Sequence, residues 1–147
     1  MSAASDIAAA RIVRTNAEGF RADVYDDATG QPIVCQGQPT VGYGCRVRQW
    51  SPALAQVVLS FQLADEYETP LLQYPWYVGC SDVRRSALLE IAFNQGISGL
   101  VGGYPSMIAA IGAEDWAQAQ AQCTVENVNV KPRYARLGLI LLTGVDA

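Results

Sequence analysis

Residues 18–45 read EGFRADVYDDATGQPIVCQGQPTVGYGC, and this stretch decides how the rest of the chain is interpreted. It begins with Glu18 at the predicted end of a helix, passes through the adjacent acids Asp26 and Asp27, and ends on a glycine-rich segment that starts at Thr40. Its short β-branched pieces between Gly/Pro turns predict a small antiparallel sheet or hairpin. A carboxylate at a helix C-terminus opposes the helix dipole. We therefore expect Glu18 to have a function or a cationic partner.

The other segments have the apolar periodicity of helices. We predict helices at about residues 5–18, 51–68, 82–96, 104–111, 113–123 and 132–142. Ser5, Ser51 and Asp82 are the predicted N-caps, and Pro52 suits a first helical position. One small β region in a mostly helical chain predicts an α+β fold.

The composition predicts one compact domain. Half of the 147 residues are hydrophobic, which is enough for a core. The net charge of −4 gives the whole chain no attraction to polyanions, and we expect no nucleic-acid partner. The basic residues nevertheless cluster at Arg84–Arg85 and at Lys131, Arg133 and Arg136. These clusters are either solvated helix faces or a local positive surface for an anionic polymer.

The chain contains no histidine. This excludes Ser-His-Asp and Cys-His catalysis and histidine metal sites, so chemistry has to depend on carboxylates, hydroxyls or thiols. Four cysteines occur without a C-x-x-C pair, so we expect neither a zinc site nor a cofactor. A local Cys35–Cys45 disulfide and reduced, buried thiols both remain open. The N-terminus lacks the apolar core of a signal peptide, and no stretch is long enough for a membrane span.

The ordered motifs of the chain resemble those of phage-type lysozymes of the T-even and lambdoid endolysin family. The matching residues are Glu18-Gly19, Tyr25, Asp27, Gly30, Thr40-Val41-Gly42-Tyr43-Gly44, Arg84-Arg85, Ala87-Leu88, Phe93-Asn94, Gly96, Arg133, Arg136 and Thr143-Gly144. Each motif is weak alone, but together they span nearly the whole chain in order.

The resemblance implies a two-lobed fold in a single catalytic domain, 1–147. A β lobe at about 19–50 would be joined by a long helix to a helical lobe at about 69–147, which the N-terminal helix completes. The family cleaves the β-1,4 bond between N-acetylmuramic acid and N-acetylglucosamine in peptidoglycan, with inversion in its type member.

The resemblance also implies roles for individual residues. Glu18 would be the general acid, with a pKa raised by burial, and Asp27 the second carboxylate. Thr40 would position the attacking water, and Arg133 would pair with Glu18. The implied substrate-binding residues are Tyr25, Gly42, Asn94 and Arg133.

Simpler interpretations exist for several of these residues. Asp26 and Asp27 could also be acidic residues of a solvated turn. Thr40 could be an ordinary strand residue. Arg84–Arg85 fits salt bridging better than glycan binding. The chain departs from the family at Cys45, where a histidine is common, and in the long segment 31–39.

We therefore expect an endolysin or tail-associated lysozyme that lyses the host cell. It would be made in the bacterial host cytoplasm and reach the periplasmic peptidoglycan through holin lesions. A monomer without membrane insertion is expected. The alternatives are a non-catalytic murein-binding or tail-structural module with this fold, and a lytic transglycosylase.

Overall fold

The computed structural model describes residues 2–15, 40–41, 45–46, 51–125 and 128–146, most of which are helical. The helical elements are α1 (Ala3–Thr15), α2 (Pro52–Gln62), a π-helical segment (Leu63–Glu68), α3 (Thr69–Leu71), α4 (Pro75–Val78), α5 (Asp82–Gly103), α6 (Pro105–Gly112), α7 (Trp116–Gln122) and α8 (Lys131–Thr143).

The prediction of an α+β fold with an antiparallel β lobe is wrong, because the described chain is a helical body. Its β structure is limited to β1 (Thr40–Val41) and β2 (Cys45–Arg46), two residues each, which pair antiparallel. A ribbon this short has no apolar face to bury and does not form a lobe. Turn residues and β-branched residues favour extended backbone locally, but they do not ensure that strands pair into a sheet. Most of the predicted lobe lies outside the described residues, namely 19–39, 42–44 and 47–50.

The predicted start of the helix at 51–52 is confirmed. Ser51 accepts a hydrogen bond from the backbone N–H of Leu54 at 3.2 Å, and Pro52 occupies the first helical position. The helical run continues through the π-helical segment to Leu71, slightly beyond the predicted end.

Two predicted caps are shifted. Ser81, not Asp82, caps α5, since its hydroxyl accepts from the N–H of Arg84. At α1, Ser2 Oγ accepts from the N–H of Ser5 and Ser5 Oγ accepts from the N–H of Ser2, both at 3.0 Å. This reciprocal pair is a capping box, so Ser5 is the third helical residue rather than the cap.

The element α5 consists of two helical halves, and the first half ends near its predicted end at residue 96. Gly96 has φ 75° and ψ 163°, a non-helical conformation that glycine adopts readily, and the second half runs on to Gly103. The half before Gly96 contributes much of the core. The residues of this half that are fully buried and apolar are Ala87, Leu88, Leu89, Ile91 and Ala92.

The helix α5 lies at the centre of the described fold. It contacts α1, α6, α8 and the π-helical segment, while α7 packs against α6 and α8. The core between these helices includes Ala8, Tyr77, Met107 and Leu137. α1 and α8 are thereby held against the same helix, the arrangement from which the candidate site is built.

Candidate active site

Much of the predicted catalytic stretch lies outside the part of the chain that the structure describes. The residues concerned are Glu18, Tyr25, Asp27 and Gly42. Thr40 belongs to β1, where its backbone lies opposite Arg46. The roles of these residues therefore stay predictions. The described geometry covers two other predicted site residues, Asn94 and Arg133.

Asn94 lies on α5 and is hydrogen-bonded to α8. It lies two residues before the break at Gly96 and is half-buried. Its Oδ1 accepts hydrogen bonds from the hydroxyl of Tyr134 at 3.4 Å and from Nε2 of Gln95 at 2.9 Å. A carboxamide has two N–H donors besides this oxygen, so it can also bind the hydroxyl or acetamido groups of a sugar.

An open groove of about 1250 Å³ lies beside Asn94. Its lining comes from α5 between Gln95 and Gly103, from Tyr104, from the end of α7 with the residues that follow it, and from the start of α8. The rings of Tyr104 and Tyr134 stack with centroids 6.2 Å apart. Gln95 and Tyr134, the two residues that bind Asn94, both line the groove. Aromatic faces mixed with a few polar groups suit a glycan or its attached peptide.

Arg133 belongs to a cluster of buried ion pairs around Glu90, whose side chain has no solvent exposure. The carboxylate of Glu90 lies 3.0 Å from Nη2 of Arg136, 3.3 Å from Nη1 of Arg11 and 3.9 Å from Nε of Arg133. Since Arg11 is on α1 and the other two arginines are on α8, one carboxylate on α5 joins three helices. We call these four residues the Glu90 cluster.

Arg11 anchors the cluster to the rest of the fold. Its side chain is fully buried, donates from Nη2 to the hydroxyl of Ser86 at 2.6 Å, and donates from Nε to the carboxylate of Asp146 at 2.7 Å. A buried guanidinium is tolerated only when its donors are paired in this way. α1 is therefore held by directed bonds to α5 and to the segment after α8.

The predicted pairing of Arg133 with Glu18 stays a prediction, because Glu18 lies outside the described residues. On the described side, Glu90 is one partner of Arg133, whose side chain is 10% exposed.

The sequence analysis did not single out Arg11 or Glu90, although each carried a signal. Arg11 follows Ala4 and Ala8 by seven and three residues, which places it on the buried face of α1. Glu90 interrupts the apolar run from Ala87 to Phe93. A charge in the middle of a buried face needs a partner of opposite charge.

Arg84 and Arg85 take part in contacts within the described fold. Arg85 pairs with Asp82 and with Glu68, which supports the salt-bridge interpretation. Arg84 donates from Nε to the carbonyl oxygen of Leu141 at 2.8 Å, so it joins the start of α5 to the end of α8.

Cys80 and Cys123 are free, buried thiols. Burial raises the pKa of Cys80 to about 11 and that of Cys123 to about 12, so both are protonated at neutral pH and neither supplies a thiolate nucleophile. Burial, with the hydrogen bond to Tyr134, also raises the pKa of Tyr104, which stays a neutral donor in the groove. Cys35 and the side chain of Cys45 lie outside the described residues, so the proposed Cys35–Cys45 disulfide stays a prediction.

Within the described ranges, no three His, Cys, Asp or Glu side chains gather as a metal site. None of the helices in these ranges is both long and apolar enough to span a bilayer.

The comparison with known families now identifies the class of protein. The sequence profile of the phage lysozyme family matches residues 15–136, well over half of the chain. The chain belongs to the phage lysozyme family, whose activity is that of peptidoglycan-degrading glycoside hydrolases. The resemblance of its motifs to phage lysozymes is thereby confirmed. No curated protein matches the chain.

Proposed function

We propose that this protein is an endolysin that hydrolyses the β-1,4 bond between N-acetylmuramic acid and N-acetylglucosamine and so lyses the bacterial host. The observation that carries this proposal is the family match over residues 15–136, because the matched range contains Glu18, Asp27 and Thr40, the three residues that the motif resemblance implies to be catalytic.

In the proposed mechanism, Glu18 protonates the leaving glycosidic oxygen. Asp27 stabilises the oxocarbenium-like transition state and accepts a proton from the attacking water. Thr40 orients this water on the opposite face of the sugar, so the attack inverts the anomeric centre. Glu18 needs a pKa near the working pH, and burial beside apolar groups would raise its pKa towards this range. The absence of histidine from the chain leaves a carboxylic acid as the natural proton donor.

The described residues supply the other side of the proposed cleft. The carboxamide of Asn94, held by Tyr134, would bind a sugar substituent, and the guanidinium of Arg133 would face Glu18. Tyr25 and Gly42 would line the cleft on the opposite side. We further propose that the protein acts as a monomer on the periplasmic peptidoglycan after release from the host cytoplasm through holin lesions.

Digestion of purified sacculi tests this proposal. The digest is reduced with borohydride, and the sugar at each new chain end is identified by mass spectrometry. A muramidase produces ends that reduce to muramitol. Glucosaminitol ends would place the cut at the other glycosidic bond, anhydromuramic ends would indicate a transglycosylase, and no new ends would indicate a binding module. Any of these three results would contradict the proposal.

A further inference from the structure

We propose that Glu90 is a positioning residue for the glycosidase site. Its buried carboxylate holds α1 and α8 in one register, and its charge offsets the guanidinium groups of Arg11, Arg133 and Arg136. This inference rests on the proposed function, because it takes Glu18 as the acid.

The path of the chain connects the Glu90 cluster to the predicted catalytic residues. α1 ends at Thr15, three residues before Glu18, and Arg11 lies one turn before that end. Arg133 lies near the start of α8. Glu90 binds both arginines from α5, at 3.3 Å and 3.9 Å. The helix that leads into Glu18 and the helix that carries its predicted cationic partner are therefore fixed to the same carboxylate.

The charges that face Glu90 come from two helices. Arg11 approaches from α1, and Arg133 and Arg136 approach from α8. Asp146, which also binds Arg11 and Arg14, is the second carboxylate of this network. Within the described ranges, this network contains four guanidinium groups, those of Arg11, Arg14, Arg133 and Arg136, and two carboxylates, those of Glu90 and Asp146. Loss of the Glu90 charge leaves the surroundings of α1 and α8 more positive, which favours the ionised form of a nearby acid.

Stability alone does not account for the cluster. Apolar side chains of similar volume usually stabilise a core as well as a buried ion network does, because charged groups lose their hydration on burial. What an ion network adds is directed bonds of fixed length, which suit a position where two helices must keep one register. Nη2 of Arg136 and Nη1 of Arg11 both lie within 3.3 Å of the same carboxylate, so a shift of either helix would break a bond.

The experiment compares Glu90→Gln with Glu68→Gln. Glu68 is a matched control, because it is also a buried carboxylate that faces an arginine, Arg85, and accepts from the hydroxyls of Ser2 and Tyr77. Glu68 faces Arg85 rather than the members of the Glu90 cluster. For each variant, kcat and kcat/KM are measured on soluble peptidoglycan fragments across pH at a temperature where unfolding curves show it folded.

We expect Glu90→Gln to lower kcat roughly 10- to 100-fold, because small displacements of a catalytic group have effects of this size. We also expect the alkaline limb of kcat/KM, which reports the pKa of the general acid, to move to lower pH by roughly 0.5 to 1 unit. Glu90→Asp keeps the charge on a shorter side chain. Its alkaline limb should therefore lie at the same pH as that of wild type, while its kcat stays low. Glu68→Gln should keep the wild-type pH profile even if its midpoint of unfolding falls.

An unchanged alkaline limb in Glu90→Gln, or an equal shift in Glu68→Gln, would overturn the inference. If Glu90→Gln does not fold, Asp146→Asn takes its place, since this carboxylate belongs to the same network and is 34% exposed. Asp146→Asn should shift the limb in the same direction by a smaller amount, and no shift would overturn the inference. Glu18→Gln separates the two proposals: if it retains activity, the proposed function fails, whereas an inactive Glu18→Gln with an unshifted Glu90→Gln removes only the role of Glu90.

Discussion

The guanidinium carbon of Arg84 lies 3.8 Å from the ring centroid of Trp116. The same side chain donates to the carbonyl oxygens of Leu141 and Leu142, at 2.8 and 3.3 Å. Arg84 therefore joins the first turn of α5 to α7 and to the last turn of α8, and it satisfies carbonyl groups that a helix end leaves without intrahelical partners.

Replacement of Arg84 by alanine should lower the free energy of unfolding by about 2–3 kcal/mol. The change removes a cation–π contact and two charged hydrogen bonds. Arg84→Lys should fall between alanine and wild type, because an ammonium keeps the charge but lacks the planar fork. Urea unfolding followed by circular dichroism measures both variants. If Arg84→Ala has the same free energy of unfolding as wild type, the contacts of Arg84 do not stabilise the fold.

Gly144 and Gly102 should respond to alanine in opposite directions. Gly144 caps α8 with φ 69°, and an added Cβ would lie 3.2 Å from the guanidinium of Arg84, so Gly144→Ala should destabilise by about 1 kcal/mol or more. Gly102 lies within α5, is exposed, and has no atom within 4 Å of an added Cβ. Gly102→Ala should therefore stabilise by about 0.5–1 kcal/mol. Thermal unfolding of both variants measures these changes in stability. Changes of the same sign in both variants would contradict the described backbone.

The helices at α2 and α8 were predictable because their signals are local. Ser51 and Pro52 mark a start by their own chemistry, and the apolar period of 132–142 lies within one turn of α8 at each end. The end of the first half of α5 near Gly96 was predictable for a similar reason, because glycine tolerates the positive φ at which that half ends.

Long-range relationships were the harder part of the prediction. The contact between Glu90 and Arg11 joins residues 79 positions apart, and no periodicity indicates which buried charges meet. The β lobe was predicted from turn and strand residues, but pairing between strands depends on partners that a local pattern does not specify. The family motifs identified the class of protein because they combine residues from the whole chain in a fixed order.

The two described thiols should be protected in the native protein and should make stability fall at alkaline pH. Their pKa values are raised from 9.0 to about 11 for Cys80 and about 12 for Cys123. Above pH 9 the unfolded chain releases these protons while the folded chain keeps them, so the unfolded state binds fewer protons and stability decreases as pH rises. The contribution is fully present below pH 9 and is lost as pH approaches the folded-state values.

The variant Cys80→Ala isolates one thiol. Between pH 8 and 10, its free energy of unfolding should decrease less steeply than that of wild type, by at most about 1.4 kcal/mol per pH unit above pH 9. Urea unfolding at several pH values measures this slope. Alkylation at pH 7.5 followed by peptide mapping provides a second readout: rapid labelling of Cys80 or Cys123 in folded protein would contradict their burial.

Loss of the Asn94 side chain should weaken substrate binding more than it affects stability. Because Asn94 is half-buried and interacts with Tyr134 and Gln95, Asn94→Ala should raise KM for soluble peptidoglycan fragments roughly 10-fold and lower the free energy of unfolding by about 1 kcal/mol or less. Gln73→Ala, an exposed carboxamide that donates to the carbonyl of Pro70, is the control and should leave KM unchanged. Equal KM values for both variants would remove Asn94 from the proposed cleft.

The most direct test of the central claim is the rate at which the protein clears a suspension of Gram-negative cells with permeabilised outer membranes. Wild type, Glu18→Gln and the control Glu66→Gln, whose carboxylate is exposed on the π-helical segment, are compared at equal concentrations of folded protein. If Glu18 is the general acid, Glu18→Gln should lose at least about 99% of the clearing rate, since a positioned acid contributes roughly 100-fold or more. Glu66→Gln should clear like wild type. A Glu18→Gln variant that clears as fast as wild type would contradict the account.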